Sequence, residues 1–447
     1  MKKESSRRTF IKKTAIASSA AMVLPTFIPA SAFGANDRIN AAVLGINGRG
    51  KSHIQGFMAQ KDVQVTTLCD PDMNLLREGQ RSFKEKYKLD VALEQDLRKV
   101  MDDKDIDVVG LATPNHWHAL ATIWACQAGK DVYVEKPGSH NISEGRKMIE
   151  AATKYDRIVQ HGVQLRSSPA VQEAIQLMRD GYIGRVYMAR GLVFRMRGDI
   201  GDKGNSPVPE GLDYDLWTGP APKVPFTHNL VHYNWHWHWD YGNGDVGNQG
   251  IHETDLCMWG LDVGLPTKIT SMGGKYLWND SKEVPEVLTS IYNYPEENKI
   301  IQFEVRPWYT NAEDGATVGN IFYGDKGYLV VDGYDKYKTF LGNDRTPGKS
   351  GDDGGVAASG MDRGAGGTDG HFANFIEAVR KHDKSILNGP VETAHLSSGL
   401  AHLGNIAYRL GRVLDFDPKS ETFVNDPEAD AMLTRDYRPG FEVPDHV

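Results

Sequence analysis

The chain has 447 residues, 40% of them hydrophobic, 25% charged and 9% aromatic, with a formal net charge of −8. That is length for two or three domains of roughly 150 residues, and the composition excludes a disordered tail protein, a collagen-like fibre and a disulfide-stapled miniprotein. The acidic balance argues against a nucleic-acid partner, which calls for a basic patch, and the 47 glycines are an excess over the usual level of about 7%.

Residues 1–35 read as an export signal. Lys2, Lys3, Arg7, Arg8, Lys12 and Lys13 form a basic start, Ala15 to Ile28 is weakly apolar, and Ala30-Ser31-Ala32 is a small-residue cleavage site. The Ser6-Arg7-Arg8-Thr9-Phe10-Ile11-Lys12 run resembles a twin-arginine (Tat) signal, so the expected location is the periplasm or beyond. No other stretch is apolar enough to span a bilayer, so no stable membrane insertion is expected. Cys69, Cys126 and Cys257 are scattered and odd in number, which is no disulfide framework and fits a protein folded before export.

Residues 36–160 alternate strand and helix. Arg38 to Leu44 predicts a strand, Gly45-Ile46-Asn47-Gly48-Arg49-Gly50 a tight turn, Lys51 to Gln60 a helix, and Val63 to Leu68 a second strand ending at Asp70. Strand, glycine turn, helix, strand, acid is the dinucleotide-binding βαβ arrangement, with backbone N–H groups turned onto a pyrophosphate at the helix N-terminus. Asn47 stands where the strict fingerprint has Gly, and the expectation is that Asn tolerates the left-handed backbone there. Asp70 would meet the ribose hydroxyls and repel a 2′-phosphate, favouring NAD over NADP. Leu97 to Met101 reads as helix. Ile106 to Ala112 and Asp131 to Val134 are buried strands running into Thr113-Pro114-Asn115-His116-Trp117-His118 and Glu135-Lys136-Pro137, with a helix from Ala119 to Ala128 between them. A helix from Ser143 to Lys154 leads to strand Ile158 to Gln160. All three polar motifs fall at strand C-termini, where parallel sheets bind ligands.

From residue 161 to 447 the pattern changes. Gln164 and Arg166 precede a helix from Ala170 to Arg179, and strands are expected at Arg185 to Phe194, Lys268 to Met272, Val287 to Tyr292, Lys299 to Val305, Ala316 to Tyr323 and Gly327 to Val331. This predicts an α+β domain with a large, mostly antiparallel open sheet behind an α/β Rossmann domain. In His232 to Tyr241 the odd positions are aromatic and the even ones polar. If extended, the run puts rings on one face and His236, His238 and Asp240 on the other, with Trp235 and Trp237 as a wall for sugar C–H faces. An aromatic structural cluster or a metal site are the alternatives, and no metal is expected. A helix from about Asn248 puts Asn248 and His252 on one face. The glycine-rich 341–370 stretch reads as a loop, followed by helices from Phe372 to Lys381 and Ala394 to Arg412.

Together the Gly45–Gly50 turn, the Thr113–His118 motif, Glu135-Lys136-Pro137 and the His252 helix resemble the Gfo/Idh/MocA oxidoreductases over about residues 37–415. The resemblance implies an NAD-dependent sugar or polyol oxidoreductase. It assigns Gly45, Asn47, Gly48, Arg49, Gly50, Asp70, Thr113, Pro114, Asn115, His118, Glu135, Lys136 and Gln164 to the cofactor. It assigns Lys136, His252 and Asn248 to catalysis, although the inositol-dehydrogenase-like pattern has Asp where Asn248 stands. Arg166, Trp235, His236, Trp237, His238, Asp245 and His252 are then the substrate-binding set for a small carbohydrate. A homodimer or homotetramer through the open sheet is implied too. The rivals are a glycosidase working by transient oxidation of the sugar at bound NAD, and a non-catalytic sugar-binding protein on the same scaffold.

Overall fold

The computed structural model describes residues 38–354 and 366–447, so the export-signal reading and the middle of the glycine-rich stretch lie outside the described residues. Six parallel strands form the first sheet: β1 (Ile39–Leu44), β2 (Val63–Cys69), β3 (Ala92–Glu94), β4 (Val108–Leu111), β5 (Asp131–Val134) and β6 (Val159–His161). Their order is β3-β2-β1-β4-β5-β6, the doubly wound order that reverses direction beside β1 and opens a crevice at the strand C-termini. β1, β4 and β5 are almost wholly buried, as strands covered by helices on both faces must be.

The helix Met73–Tyr87 has no counterpart in the sequence reading. It buries only Leu76 and Phe83, so its apolar stripe is too thin to see. Asp72 caps it by accepting from the Asn74 N–H. The helix Asn115–Gln127 begins four residues earlier than expected, which places Asn115 to His118 in its first turn.

A ten-stranded sheet follows, in the order β14-β13-β12-β11-β7-β10-β9-β8-β15-β16. Its members are β7 (Val186–Phe194), β8 (Lys268–Gly274), β9 (Val287–Tyr294), β10 (Lys299–Arg306), β11 (Val318–Gly324), β12 (Gly327–Asp332), β13 (Lys336–Leu341), β14 (Thr346–Asp352), β15 (Leu414–Asp417) and β16 (Thr422–Phe423). Every pairing is antiparallel except β7 with β10, so the sheet is mixed rather than a simple meander. The helix Gly250–Leu261 is buried on nearly all sides between this sheet and the helix Val391–Leu410.

Two readings change here, and one helix crosses to the other sheet. The glycine-rich stretch is not a loop at its start, because Thr346–Asp352 pairs with β13 as a strand. The helix Gly366–Lys381 packs toward the first sheet, where Phe372 stacks on Tyr133 with ring centroids 4.1 Å apart. His232 to Tyr241 is not extended. Asn234–Trp237 is a 3-10 turn, and its backbone bonds locally, with the His238 N–H on Trp235 O at 3.2 Å and the Gly242 N–H on His238 O at 2.8 Å. Local bonds of this kind replace a strand partner, so rings and imidazoles do not sort onto two faces.

Candidate active site

One cavity of about 650 Å³ lies over the C-terminal ends of β1, β4 and β5. Its floor is the glycine turn. Gly45 has φ of +80°, and a Cβ there would sit 2.6 Å from the Ala112 carbonyl oxygen. At Gly50 a Cβ would sit 1.9 Å from the Gly45 carbonyl oxygen, so both positions admit only glycine. The left-handed residue inside the turn is Gly48, φ +59°. Asn47 stays in the ordinary region, and the departure from the strict fingerprint is absorbed by the glycine beside it.

Asp70, buried at the end of β2, accepts from the Ile46 N–H at 3.0 Å and the Asp72 N–H at 3.0 Å. Burial pushes its carboxyl upward and the two N–H bonds oppose that. Each oxygen keeps a free lone pair, so the carboxylate that fixes the turn can also receive hydroxyls.

Glu135 follows β5 at the centre of a charged cluster. Its carboxylate accepts from Arg49 Nε at 2.6 Å and contacts His53 Nε2 at 3.2 Å and Gln164 Nε2 at 3.3 Å. Burial alone would raise its pKa, but Arg49, His53 and Lys136 hold it well below the usual carboxylate range. His118 bridges the two polar motifs, with one ring nitrogen 2.8 Å from Thr113 O and the other 2.6 Å from Pro137 O. Asn115 donates to the Asn243 side chain at 3.1 Å.

The reacting end is built from Lys136, Asn248 and His252, all lining the cavity. Lys136 Nζ donates to the backbone carbonyl of Asn248. This ties the strand-β5 motif to the short helix Gly244–Asn248 and leaves two ammonium protons for a ligand. Burial lowers the Lys136 pKa to about 8, with Glu135 opposing and Arg49 adding to the drop. His252 is 7% exposed; burial, and then the charge of Lys136, push its pKa well below 6.5. A neutral imidazole therefore sits beside an ammonium group, a pairing suited to taking a proton from a hydroxyl whose oxygen the ammonium holds.

Thr113 Oγ1, Asn248 Nδ2 and His252 Nδ1 are buried in these walls without a hydrogen-bond partner. Buried polar atoms are ordinarily satisfied, so these mark a wall shaped for a ligand. With the glycine cradle and Asp70, the residues present fit a dinucleotide.

The cavity gathers Gly45, Asn47, Gly48, Arg49, Asp70, Thr113, Pro114, Asn115, His118, Glu135, Lys136, Gln164, Trp235, His236, Asn248 and His252. Gly50 acts from beneath the turn. Four substrate candidates stand elsewhere. Arg166 Nε and Nη2 form a bidentate pair with Asp255, at 2.7 and 2.8 Å. Asp245 is paired with Arg197 at 2.6 and 2.9 Å. Trp237 is buried under Arg197, 5.5 Å from its ring centroid, and His238 faces Glu283 at 3.4 Å. All four brace the wall and none lines it. His236 stacks on Trp235 at 3.6 Å and must donate Nδ1–H to the Tyr233 carbonyl at 2.6 Å, which leaves Nε2 as a neutral acceptor. Among the described residues no group of three or more His, Cys, Asp or Glu could hold a metal ion.

Gln95, Trp217, Tyr233, Gln249 and Tyr334 also line the cavity, and the sequence reading did not single them out as site residues. Gln249 was findable as the residue between Asn248 and His252. Tyr334 arrives from a turn more than eighty residues away with no motif around it.

Comparison with known proteins gives the family and the fold. Residues 39–163 match the Gfo/Idh/MocA profile described as the oxidoreductase family, NAD-binding Rossmann fold, and residues 194–300 and 366–443 match that of its C-terminal alpha/beta domain. A levoglucosan dehydrogenase of Pseudarthrobacter phenanthrenivorans is 38% identical over 96 residues, 22% of this chain and 25% of that one. A glycosyl hydrolase family 109 protein of Saccharopolyspora erythraea is 27% identical over 170 residues, 36% of each chain. These alignments span about a quarter to a third of the relatives' own length. The solved levoglucosan dehydrogenase in complex with NADH and levoglucosan shares the fold, with a TM-score of 0.65 at 18% identity over 85% of this chain and 99% of that one. The chain belongs to the Gfo/Idh/MocA family of NAD-binding oxidoreductases.

Proposed function

We propose that the protein transfers a hydride between NAD and a hydroxyl or ketone of a neutral sugar or polyol. The observation that carries this is the placement of Lys136 and His252 in the same cavity as the Gly45–Arg49 turn and Asp70. NAD supplies the hydride acceptor. The Lys136 ammonium, held by the Asn248 carbonyl, donates to the reacting oxygen and stabilises charge developing there. Neutral His252 takes the hydroxyl proton on oxidation and returns it on reduction. The His236–Trp235 stack offers a flat face to sugar C–H groups and an acceptor to a hydroxyl. Around these residues the guanidinium groups of Arg49, Arg166 and Arg197 are each paired with a carboxylate, which favours a neutral substrate over an acidic one.

The family 109 relative favours a second reading, hydrolysis of a glycoside with no net change in NAD. Incubating the purified protein with NAD, free sugars and aryl glycosides separates the two. Net NADH formation from sugars supports the dehydrogenase, and release of the aryl group without net NADH supports the glycosidase.

Arg7-Arg8 and the Ala30-Ser31-Ala32 site support export through the twin-arginine route, and export makes a retained, internally recycled cofactor part of the proposal. Cell fractionation of the wild type and of an Arg7→Lys, Arg8→Lys variant tests it. Met272 on β8 is 80% exposed and Tyr187 on β7 41% exposed. They support pairing of subunits through the open sheet, which light scattering in solution checks.

A further inference from the structure

The C-terminal family match leaves out residues 301–365, yet this segment reaches the reacting end of the cavity. The turn between β12 and β13 carries Tyr334 into the cavity wall. The turn is held firmly. The Gly333 N–H donates to Val318 O at 2.9 Å and the Asp353 N–H to Asp335 O at 2.8 Å. The Asp353 carboxylate in turn accepts from Ser168 Oγ at 2.5 Å and the Ala170 N–H at 3.0 Å. β14 and the helix Pro169–Arg179 thus clamp the turn from behind.

The Tyr334 ring meets the His252 ring edge-on, centroids 5.4 Å apart at 79°. Its hydroxyl state follows from donor and acceptor chemistry. Arg195 has only donors and contacts Gln249 Oε1 at 2.9 Å, so the amide nitrogen of Gln249 faces the other way. That nitrogen donates to Tyr334 Oη and to Glu253 Oε1 at 3.2 Å. Tyr334 Oη is therefore an acceptor toward Gln249 and keeps its own proton, on a side chain that lines the cavity. The result is a fixed hydroxyl donor beside the proposed base, presented by a segment the family match does not include.

We propose that Tyr334 is a substrate-positioning and specificity residue, whose hydroxyl donates to an oxygen on a carbon next to the one oxidised. Resting on the hydride-transfer reading, this assigns the substrate class: neutral sugars or polyols with vicinal oxygens, one held by Lys136 and one by Tyr334. A substrate lacking the second oxygen leaves the tyrosine proton unpaired in a buried wall, which sites of this kind penalise.

The test compares wild type with Tyr334→Phe, which keeps the ring against His252. D-glucose, D-galactose, myo-inositol and their monodeoxy analogues are assayed for NAD reduction, with NADH affinity measured by fluorescence. In wild type, one monodeoxy analogue of the best substrate is expected to lose about tenfold to a hundredfold in kcat/KM. Tyr334→Phe is expected to slow the parent by a similar factor, slow that analogue no further, and leave NADH affinity unchanged. A loss uniform across parent and analogues, no loss at all, or no sensitive analogue in wild type overturns the proposal. A wild type that reduces NAD with none of the panel overturns the hydride-transfer reading itself, and the proposal with it.

Discussion

The two ends of the cavity are made in different ways. The cofactor end is built on strand ends, each with its own turn, and its glycine turn is fixed through backbone atoms. Gly45 meets the Ala112 carbonyl, Gly50 meets Gly45, and Asp70 accepts the Ile46 N–H. The substrate end is assembled from segments far apart in the chain: Lys136 after β5, Trp235 and His236 in a 3-10 turn, Asn248 and His252 at a helix junction, and Tyr334 in a hairpin turn. Backbone-made sites are conserved in form by stereochemistry, whereas side-chain-made sites are free to change with the packing behind them. The first end accordingly corresponds to the NAD-binding fold of the family match, and in the proposed function the second end selects the substrate.

Substitutions sharpen that contrast. Lys136→Met is expected to have the largest effect, lowering kcat by about 10³ or more while NAD affinity stays within a few-fold, because it removes the donor at the developing charge; steady-state kinetics alongside a fluorescence titration checks both. Gly45→Val attacks the other end. Its Cβ would meet the Ala112 carbonyl at 2.6 Å in a left-handed backbone, roughly 1–3 kcal/mol of strain. NAD affinity should drop by one to two orders of magnitude and the thermal midpoint should fall, both measurable by calorimetry. Equal loss of NAD affinity in Lys136→Met and Gly45→Val would erase the distinction between the ends.

The pH profile comes next. Lys136 titrates at about 8 and must be charged, so kcat/KM is full below that value and falls about tenfold per pH unit above it. His252 must be neutral to accept a proton, and its pKa lies well below 6.5, so no acid limb appears near pH 6.5. Asp70→Asn keeps an acceptor for the Ile46 N–H but removes the charge. It should weaken NAD by about tenfold and narrow the preference over NADP, seen by comparing kcat/KM for the two cofactors. The smallest kinetic effect belongs to Arg166→Met. Asp255, with its side chain 1% exposed, would lose its guanidinium, a break that costs about 3–5 kcal/mol. Stability in urea should fall while kcat/KM stays within a few-fold.

The same contrast explains what the sequence revealed. The strand–helix alternation of the Rossmann domain, the glycine turn and the strand-end positions of Asp70, Glu135 and Lys136 were legible because each depends on residues adjacent in the chain, whereas the three-residue edge strand β3 was too short to show as an apolar run. Even there the detail shifted, since Gly48 and not Asn47 takes the left-handed position. The alternation in His232 to Tyr241 misled because a period of two signals a strand only when a partner strand exists. Here Trp235 and Trp237 bury themselves through local turns instead. Arg166 and Asp245 looked like ligands of a substrate because their ion-pair partners, Asp255 and Arg197, are distant in sequence. Tyr334 carried no signal, being placed by β-strand register and by Asp353 gripping the start of a remote helix.

One cavity holds both the NAD turn and the Lys136–His252 pair, and the proposed reaction needs them to meet at one carbon. Incubating the protein with NAD and C-deuterated neutral sugars, then weighing the recovered nicotinamide cofactor by mass spectrometry, tests it most directly. Deuterium is expected on the reduced cofactor in wild type, and none in Lys136→Met despite normal NAD binding. Equal labelling in the two proteins, or no labelling in wild type with any sugar, would contradict it.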